Sequence, residues 1–168
     1  LDKLQDNLEE IKKGEHKVER LERIEVVVNG KIKDSIALNE VFIANEKAYL
    51  VSKYEVKIRR GGKVEKEKQY SSGIIFSTGT GSTAWFKSSG GEPFSPQERF
   101  IKMLVREPYI RNLHHFNILK RTIEEGEEAE VVPLTKMILA IDSIREFKLK
   151  EGDKVMIKPS RYPLLRIL

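Results

Sequence analysis

The chain has 168 residues, 39% hydrophobic and 34% charged, which is enough apolar material for one core and too much charge for a membrane bundle or a collagen-like fibre. It contains no cysteine, so a disulfide framework, a thiolate zinc site and a cysteine nucleophile are excluded, and a reducing compartment fits. A net charge of +5 is a mild bias toward anionic partners such as nucleotides or nucleic acid. The longest apolar runs, such as Met137 to Ile141 and Gly73 to Phe76, are strand-sized and far below the ~18 residues of a membrane span, so no membrane partner is expected.

Leu1, Leu4, Leu8 and Ile11 recur at three- and four-residue spacing among charged residues, which predicts a short amphipathic helix ended by Gly14 as its C′ residue. From Val18 the period becomes 2, and Ile24, Val26 and Val28 fall on one face of a strand. Asn29-Gly30 predicts a type I′ hairpin, because both central positions need positive φ. The run Lys31 to Ala44 returns, an extended stretch Ala48 to Arg59 follows, and Gly61-Gly62 turns into Lys63 to Tyr70. Gly73 to Thr78 is a continuous apolar strand of the buried kind; Thr78 to Gly91, rich in Gly, Ser and Thr, holds a short helix at most. Ala129 to Val132, Lys136 to Ile141, Glu146 to Lys150 and Lys154 to Lys158 continue the strand theme, with a turn at Glu151-Gly152-Asp153.

Many short strands joined by glycine-containing turns predict a mainly β fold, an antiparallel two-layer β-sandwich with a few short helices. Parallel crossovers would need about a dozen residues each, and only Glu98 to Arg106 and Phe116 to Glu125 offer even a partial helix. Lys57 to Lys68 is charge-rich but mixed in sign, and reads as a solvated hairpin tip more readily than as a nucleic-acid surface.

Ser71 to Trp85 is the informative segment: an apolar strand that runs into an unbroken series of small residues. Small residues let a backbone approach a ligand and point several N–H and hydroxyl groups at one place, as a phosphate or ribose requires. Trp85 adds an aromatic face that can stack a base or close a core. No Walker pattern is present. Gly79, Gly81 and Ala84 satisfy the Gly-x-Gly-x-x-Gly/Ala spacing, yet Ser89-Gly90-Gly91 and two prolines break any long helix, against a Rossmann unit. A tight strand-to-helix turn with no ligand is the plain alternative.

Gly73 to Ala84, with Ser88 and Gly90-Gly91, resembles the signature of the NAD kinase family, Asp-Gly-x-x-x-Ser-Thr-Pro-Thr-Gly-Ser-Thr-Ala-Tyr followed by paired glycines. Ala37-Leu38-Asn39-Glu40-Val41 is similar to the family's Asn-Glu motif, and Ile138 to Ile157, with Ile141-Asp142 and Glu151-Gly152-Asp153, resembles its closing strands. The departures are Ser72 for the family's aspartate, Gly79 for its proline and Trp85 for its tyrosine; the run Thr78 to Ser82, ending in Ala84-Trp85, with Arg106-Glu107-Pro108 further on, looks more like the mitochondrial-type enzymes of animals.

The resemblance implies the C-terminal domain of an enzyme that uses ATP, with Mg²⁺, to phosphorylate the adenosine ribose 2′-hydroxyl of NAD. By matching position Asn39 would bond the adenine and Glu40 the ribose hydroxyls, residue types suited to those tasks. Thr83 and Ala84 would shape the adenine pocket with Trp85 against it, Thr80, Ser88 and Ser72 would line the rest of the dinucleotide, and Asp142 would lie near the site. Judged alone, Asn39-Glu40 could be a polar step on an edge strand, Trp85 a core residue and Asp142 a turn former. His114-His115 offers little as a metal or acid-base pair, because adjacent histidines point apart.

The family's catalytic carboxylate comes from a Gly-Gly-Asp-Gly motif upstream, and no such motif occurs in these residues. The expectation is therefore no catalytic or metal-binding residue in this chain: 1–14 a connecting helix from a missing N-terminal α/β domain, 15–168 a β-sandwich NAD-binding domain, inactive alone. A homo-oligomer through the β-rich domain and a cytoplasmic location, or a mitochondrial one in a eukaryote, are also implied. Two other readings stand beside it. One is the C-terminal domain of a related lipid or sugar kinase, which would not need Asn39-Glu40. The other is a non-catalytic nucleotide or nucleic-acid binding module using Arg59-Arg60, Lys63 and the tail Lys158 to Arg166.

Overall fold

A computed structural model describes residues 2–14, 16–109 and 116–168. The predicted first helix is α1 (Asp2–Lys13), closed by Gly14 at φ +73°. Leu8 and Ile11 of its apolar stripe are exposed, while Leu1 and the Leu4 side chain lie outside the described part. The strands that follow are β1 (Val18–Leu21), β2 (Ile24–Val28), β3 (Lys31–Ala37), β4 (Glu40–Ala44), β5 (Ser52–Arg60), β6 (Lys63–Ser71) and β7 (Gly73–Ser77). A 3₁₀ turn (Gly81–Thr83) and the one-turn helix α2 (Trp85–Ser88) precede β8 (Ile101–Arg106), β9 (Lys120–Ile123), β10 (Glu128–Pro133), β11 (Met137–Ile141), β12 (Arg145–Leu149), β13 (Val155–Pro159) and β14 (Leu164–Ile167).

The strands pair antiparallel into two six-stranded sheets, β3-β2-β13-β10-β5-β6 and β12-β11-β4-β7-β8-β9, and a small ribbon, β1-β14. The inward faces of the two large sheets interdigitate: Ile24, Val26, Tyr54, Val56, Val131 and Ile157 meet Val41, Ile43, Ile74, Phe76, Met103 and Leu139 in one cluster. This is the antiparallel sandwich that the strand spacing predicts. Both glycine hairpins form as expected, with Asn29 and Gly30 at φ 51° and 75° and Gly61 and Gly62 at φ 52° and 81°.

A second, smaller core lies on the outer face of the second sheet, where Phe42, Ala44, Ile75 and Leu104 are covered by Phe86, Trp85 and Phe94. Strands β4 and β7 are therefore buried on both faces, which is why Gly73 to Phe76 reads as an unbroken apolar run. Gly73, at φ 131°, has no room for a side chain because the Phe42 ring and Ala44 lie against it.

Two expectations need correction. Glu98 to Arg106 and Phe116 to Glu125, the two partial helices, contain strands β8 and β9 instead: Ile101, Met103 and Val105 alternate into the core, a period of 2. The run Lys31 to Ala44 is two strands in different sheets, and the chain crosses from one layer to the other at Leu38-Asn39. The basic tail ends in β14, paired with β1.

Candidate functional site

The crossing at Leu38-Asn39 is the centre of the site. A chain that leaves one sheet for another loses its ladder partners there, and its backbone groups need others. Thr78, just past β7, supplies two: its hydroxyl donates to the Leu38 carbonyl at 2.6 Å and its N–H donates to the Asn39 carbonyl at 3.0 Å. Asp142 supplies the rest. Its carboxylate accepts from the N–H groups of Leu38, Asn39 and Glu40 at 2.9, 2.7 and 3.2 Å. The Asp142 N–H donates back to the Glu40 carbonyl at 2.9 Å.

Asp142 and Ser143 form the β11–β12 turn in left-handed conformations, φ 52° and 53°, uncommon for residues other than glycine. That geometry places the Ser143 hydroxyl 3.0 Å from Glu40 Oε1, to which it donates. Glu40 is buried, and burial pushes its carboxyl above the usual range; the Ser143 hydrogen bond opposes this and the Asp142 charge adds to it. A buried carboxylate with one fixed hydroxyl partner keeps acceptor capacity for further donors.

The small-residue turn packs directly on this crossing. A methyl group at Gly81 would run into the Asn39 backbone, and one at Gly79 into Ser95. Ser82 is buried and holds the turn to the following loop, accepting from the Phe94 N–H at 3.0 Å. Thr80 Oγ1 is shielded from solvent and has no hydrogen-bond partner among the described residues. Thr83, Ala84 and Ser88 are exposed along the turn and α2.

Asn39, Glu40, Thr80, Thr83, Ala84 and Asp142 are thus gathered around one crossing. Trp85 is half-buried, its ring 4.5 Å from that of Phe42, so it does help to close the outer core. Ser72 lies elsewhere: it is five positions along the chain from Ser77, the register partner of Glu40, a run of about 17 Å. It is exposed, donates its hydroxyl to the Glu107 carboxylate, and sits beside Arg106. Sequence reasoning missed Thr78, Ser143 and Glu107. Thr78 is visible as the hydroxyl ending a buried strand; Ser143 and Glu107 act through contacts that no local pattern announces. His114-His115 lies outside the described residues.

No protein-family model matches the chain. The NAD kinase of Methanosarcina barkeri is 28% identical over 163 residues, covering 94% of this chain and 55% of that protein. Among solved structures, an NAD kinase from Archaeoglobus fulgidus in complex with ATP superposes with a TM-score of 0.74 at 20% identity, over 96% of this chain and 59% of the other. Yeast NADH kinase complexed with NADH gives 0.80 at 17% identity, over 99% and 50%. The chain spans about half the length of the curated relatives it matches. The Asn-Glu crossing, the signature turn and the closing hairpin are thus assembled in one place, in a chain that is similar over nearly its whole length to part of the NAD kinases and shares their fold.

Proposed function

We propose that this chain is the NAD-binding part of an enzyme that transfers the γ-phosphoryl group of ATP to the 2′-hydroxyl of the adenosine ribose of NAD. The observation that carries the reading is the clamp on Asn39-Glu40: one carboxylate, Asp142, and one threonine, Thr78, hold the crossing backbone so that both side chains start from a fixed position. Asn39 reads the adenine edge, and Glu40 accepts from the ribose hydroxyls. Thr80, Thr83, Ala84, Trp85 and Ser88 line the dinucleotide. Asp142 acts as a positioning residue, because its oxygens are occupied by backbone N–H groups.

Phosphoryl transfer depends on positioning and on charge neutralisation. Mg²⁺, which the resemblance implies, would come with ATP and would help neutralise the charge of its phosphates. The carboxylate beside the attacking hydroxyl belongs to the upstream Gly-Gly-Asp-Gly region, to which α1 connects. The domain boundary at residue 14, assembly through the β-rich sheets and a cytoplasmic or mitochondrial location follow from the same resemblance. No helix among the described residues is long and apolar enough to cross a membrane.

The nucleic-acid reading loses four of its six cations to ion pairs. Arg59 is paired with Glu128 and Glu130, Arg60 with Glu127, Lys158 with Glu25 and Arg166 with Glu19. Calorimetric titration with NAD at two salt concentrations separates the readings: a dinucleotide pocket responds weakly, whereas a surface neutralising several phosphates loses affinity steeply. A protein extended upstream should phosphorylate NAD and lose that activity on Glu40→Ala. Phosphorylation of NAD by the 168-residue chain alone would overturn the division of labour.

A further inference from the structure

An open cleft of about 220 Å³ lies between strands β8 and β9 and the segment that follows α2. Its floor is the edge of the second sheet: Lys102 and Thr122 are register partners, and Lys120 stands diagonal to Lys102, about 7–8 Å away, on the same face. That face is the outward one, since Leu104, the partner of Lys120, belongs to the outer core while Ile101 and Met103 point inward. Each ammonium group is held by a neutral group of the covering segment. Lys120 Nζ donates to the Gly90 carbonyl at 3.2 Å, and Lys102 Nζ lies 4.7 Å from the centre of the Phe94 ring. Neither lysine has an ion-pair partner among the described residues, whereas Arg121 in the same wall pairs with Glu65, and Lys57 and Lys158 on the first sheet pair with Glu130 and Glu25. Glu92, the one acidic residue lining the cleft, is exposed.

Two like charges held on neighbouring strands repel each other, and an anion between them turns that repulsion into attraction. Two point-like ammonium groups suit a tetrahedral dianion, with oxygens in several directions, better than a planar carboxylate, which an arginine fork matches. The Thr122 hydroxyl, in the same wall, adds a third donor. The cleft is smaller than the roughly 300 Å³ at which pockets for drug-sized ligands begin, so it has room for a phosphate or diphosphate group and not for a whole dinucleotide. It also lies apart from the Asn39-Glu40 crossing. Lys102 pairs with Ser77 and Ser77 with Glu40, so β7 stands between cleft and crossing, and the backbones of Lys102 and Glu40 are two strand spacings, about 10 Å, apart. We propose that this cleft is a separate anion site that takes a phosphate or diphosphate group, with Lys102 and Lys120 as its cations and the Thr122 hydroxyl as a further donor.

The test is calorimetric titration of the full chain with diphosphate in phosphate-free buffer, with thermal midpoints measured alongside. Diphosphate should bind saturably at a single site and raise the midpoint. Lys120→Gln removes the charge but keeps a donor for the Gly90 carbonyl, so the fold survives the change. It should weaken diphosphate about tenfold, the loss expected for one charge-assisted hydrogen bond, and Lys102→Gln should do the same. Lys63→Gln removes an equal charge from the exposed tip of the β5–β6 hairpin and should leave the affinity unchanged. Titration with ADP separates the two sources of such a group: a Lys120-dependent affinity above that of diphosphate identifies the terminal phosphates of a nucleotide, one below it the free ion, and either fits the site. No diphosphate binding, an affinity unchanged in Lys120→Gln, or an equal loss in Lys63→Gln would each overturn the proposal. Displacement of diphosphate by NAD would overturn it too, by making the cleft part of the dinucleotide site.

Discussion

The two large sheets share one core but present opposite outer faces. On the first sheet the outward side chains are a mosaic of paired charges: Lys57 bridges Glu55 and Glu130, Arg59 bridges Glu128 and Glu130, and Lys158 meets Glu25 across the strands. On the second sheet the outward face is apolar and covered by aromatic rings and a turn of small residues. The charged face satisfies itself and offers little to a ligand. The second face leaves an unpartnered hydroxyl at Thr80 and exposed donors along α2. On the proposed reading, charge density and net charge therefore mark the wrong face, and the candidate site is marked by close backbone packing.

The strongest test of that contrast is Asp142→Ala. The side chain is only 9% exposed and its carboxylate satisfies three N–H groups, so the loss should cost about 3 kcal/mol and the crossing should loosen. Both the thermal midpoint and NAD affinity should fall. An unchanged midpoint would mean that the clamp does not hold the crossing. Gly81→Ala comes next: the added methyl meets the Asn39 backbone rather than a movable side chain, an overpacking cost of about 2 kcal/mol, with NAD affinity falling as Asn39 shifts.

Glu130→Gln probes the other face. Its carboxylate is 8% exposed; burial pushes the carboxyl up, but the Lys57 hydrogen bond and the Lys57 and Arg59 charges outweigh it, and the net shift is downward. A lowered folded value contributes stability that is present above the ordinary glutamate range and lost as pH falls through the folded value. The substitution should cost about 1.5 kcal/mol at neutral pH, less in acid, and leave NAD affinity unchanged. A fall in NAD affinity would break the division between a structural and a binding face.

Much of the strand order is legible in the chain, because hairpins are local: Asn29-Gly30 and Gly61-Gly62 announce their turns, and alternation announces which side chains go inward. The layer change at Leu38-Asn39 is not, since Lys31 to Ala44 is extended throughout and nothing local says that its halves join different sheets. Strand β8 escapes a sequence reading because Arg99-Phe100 and Lys102 obscure the alternation of Ile101, Met103 and Val105. The site residues Asn39, Glu40 and Thr80 are legible through a resemblance. The roles of Asp142, Ser143 and Glu107 are not, because each depends on a tertiary contact: Asp142 lies about a hundred positions from the N–H groups it holds, while Glu107 reaches Ser72 only once β7 and β8 pair.

Glu40→Gln gives the smallest effect on stability and the most informative sign. Burial raises the Glu40 carboxyl, so the ionised form is disfavoured in the folded state, and folding gains stability as pH drops from neutral into that raised range. The substituted amide carries no charge to desolvate and can still accept from Ser143, so the variant should be more stable than the parent by under ~1 kcal/mol at neutral pH, the gain vanishing in acid. NAD affinity should move the other way: the amide offers a weaker acceptor to the ribose hydroxyls, and in the parent binding should weaken as pH falls through the raised Glu40 value, above where an ordinary glutamate protonates. Thermal midpoints and NAD titrations of parent and variant at neutral and mildly acidic pH check both signs. A variant that loses stability at neutral pH would show that Glu40 is a structural acceptor of the crossing, and would move it from the binding role to that of Asp142.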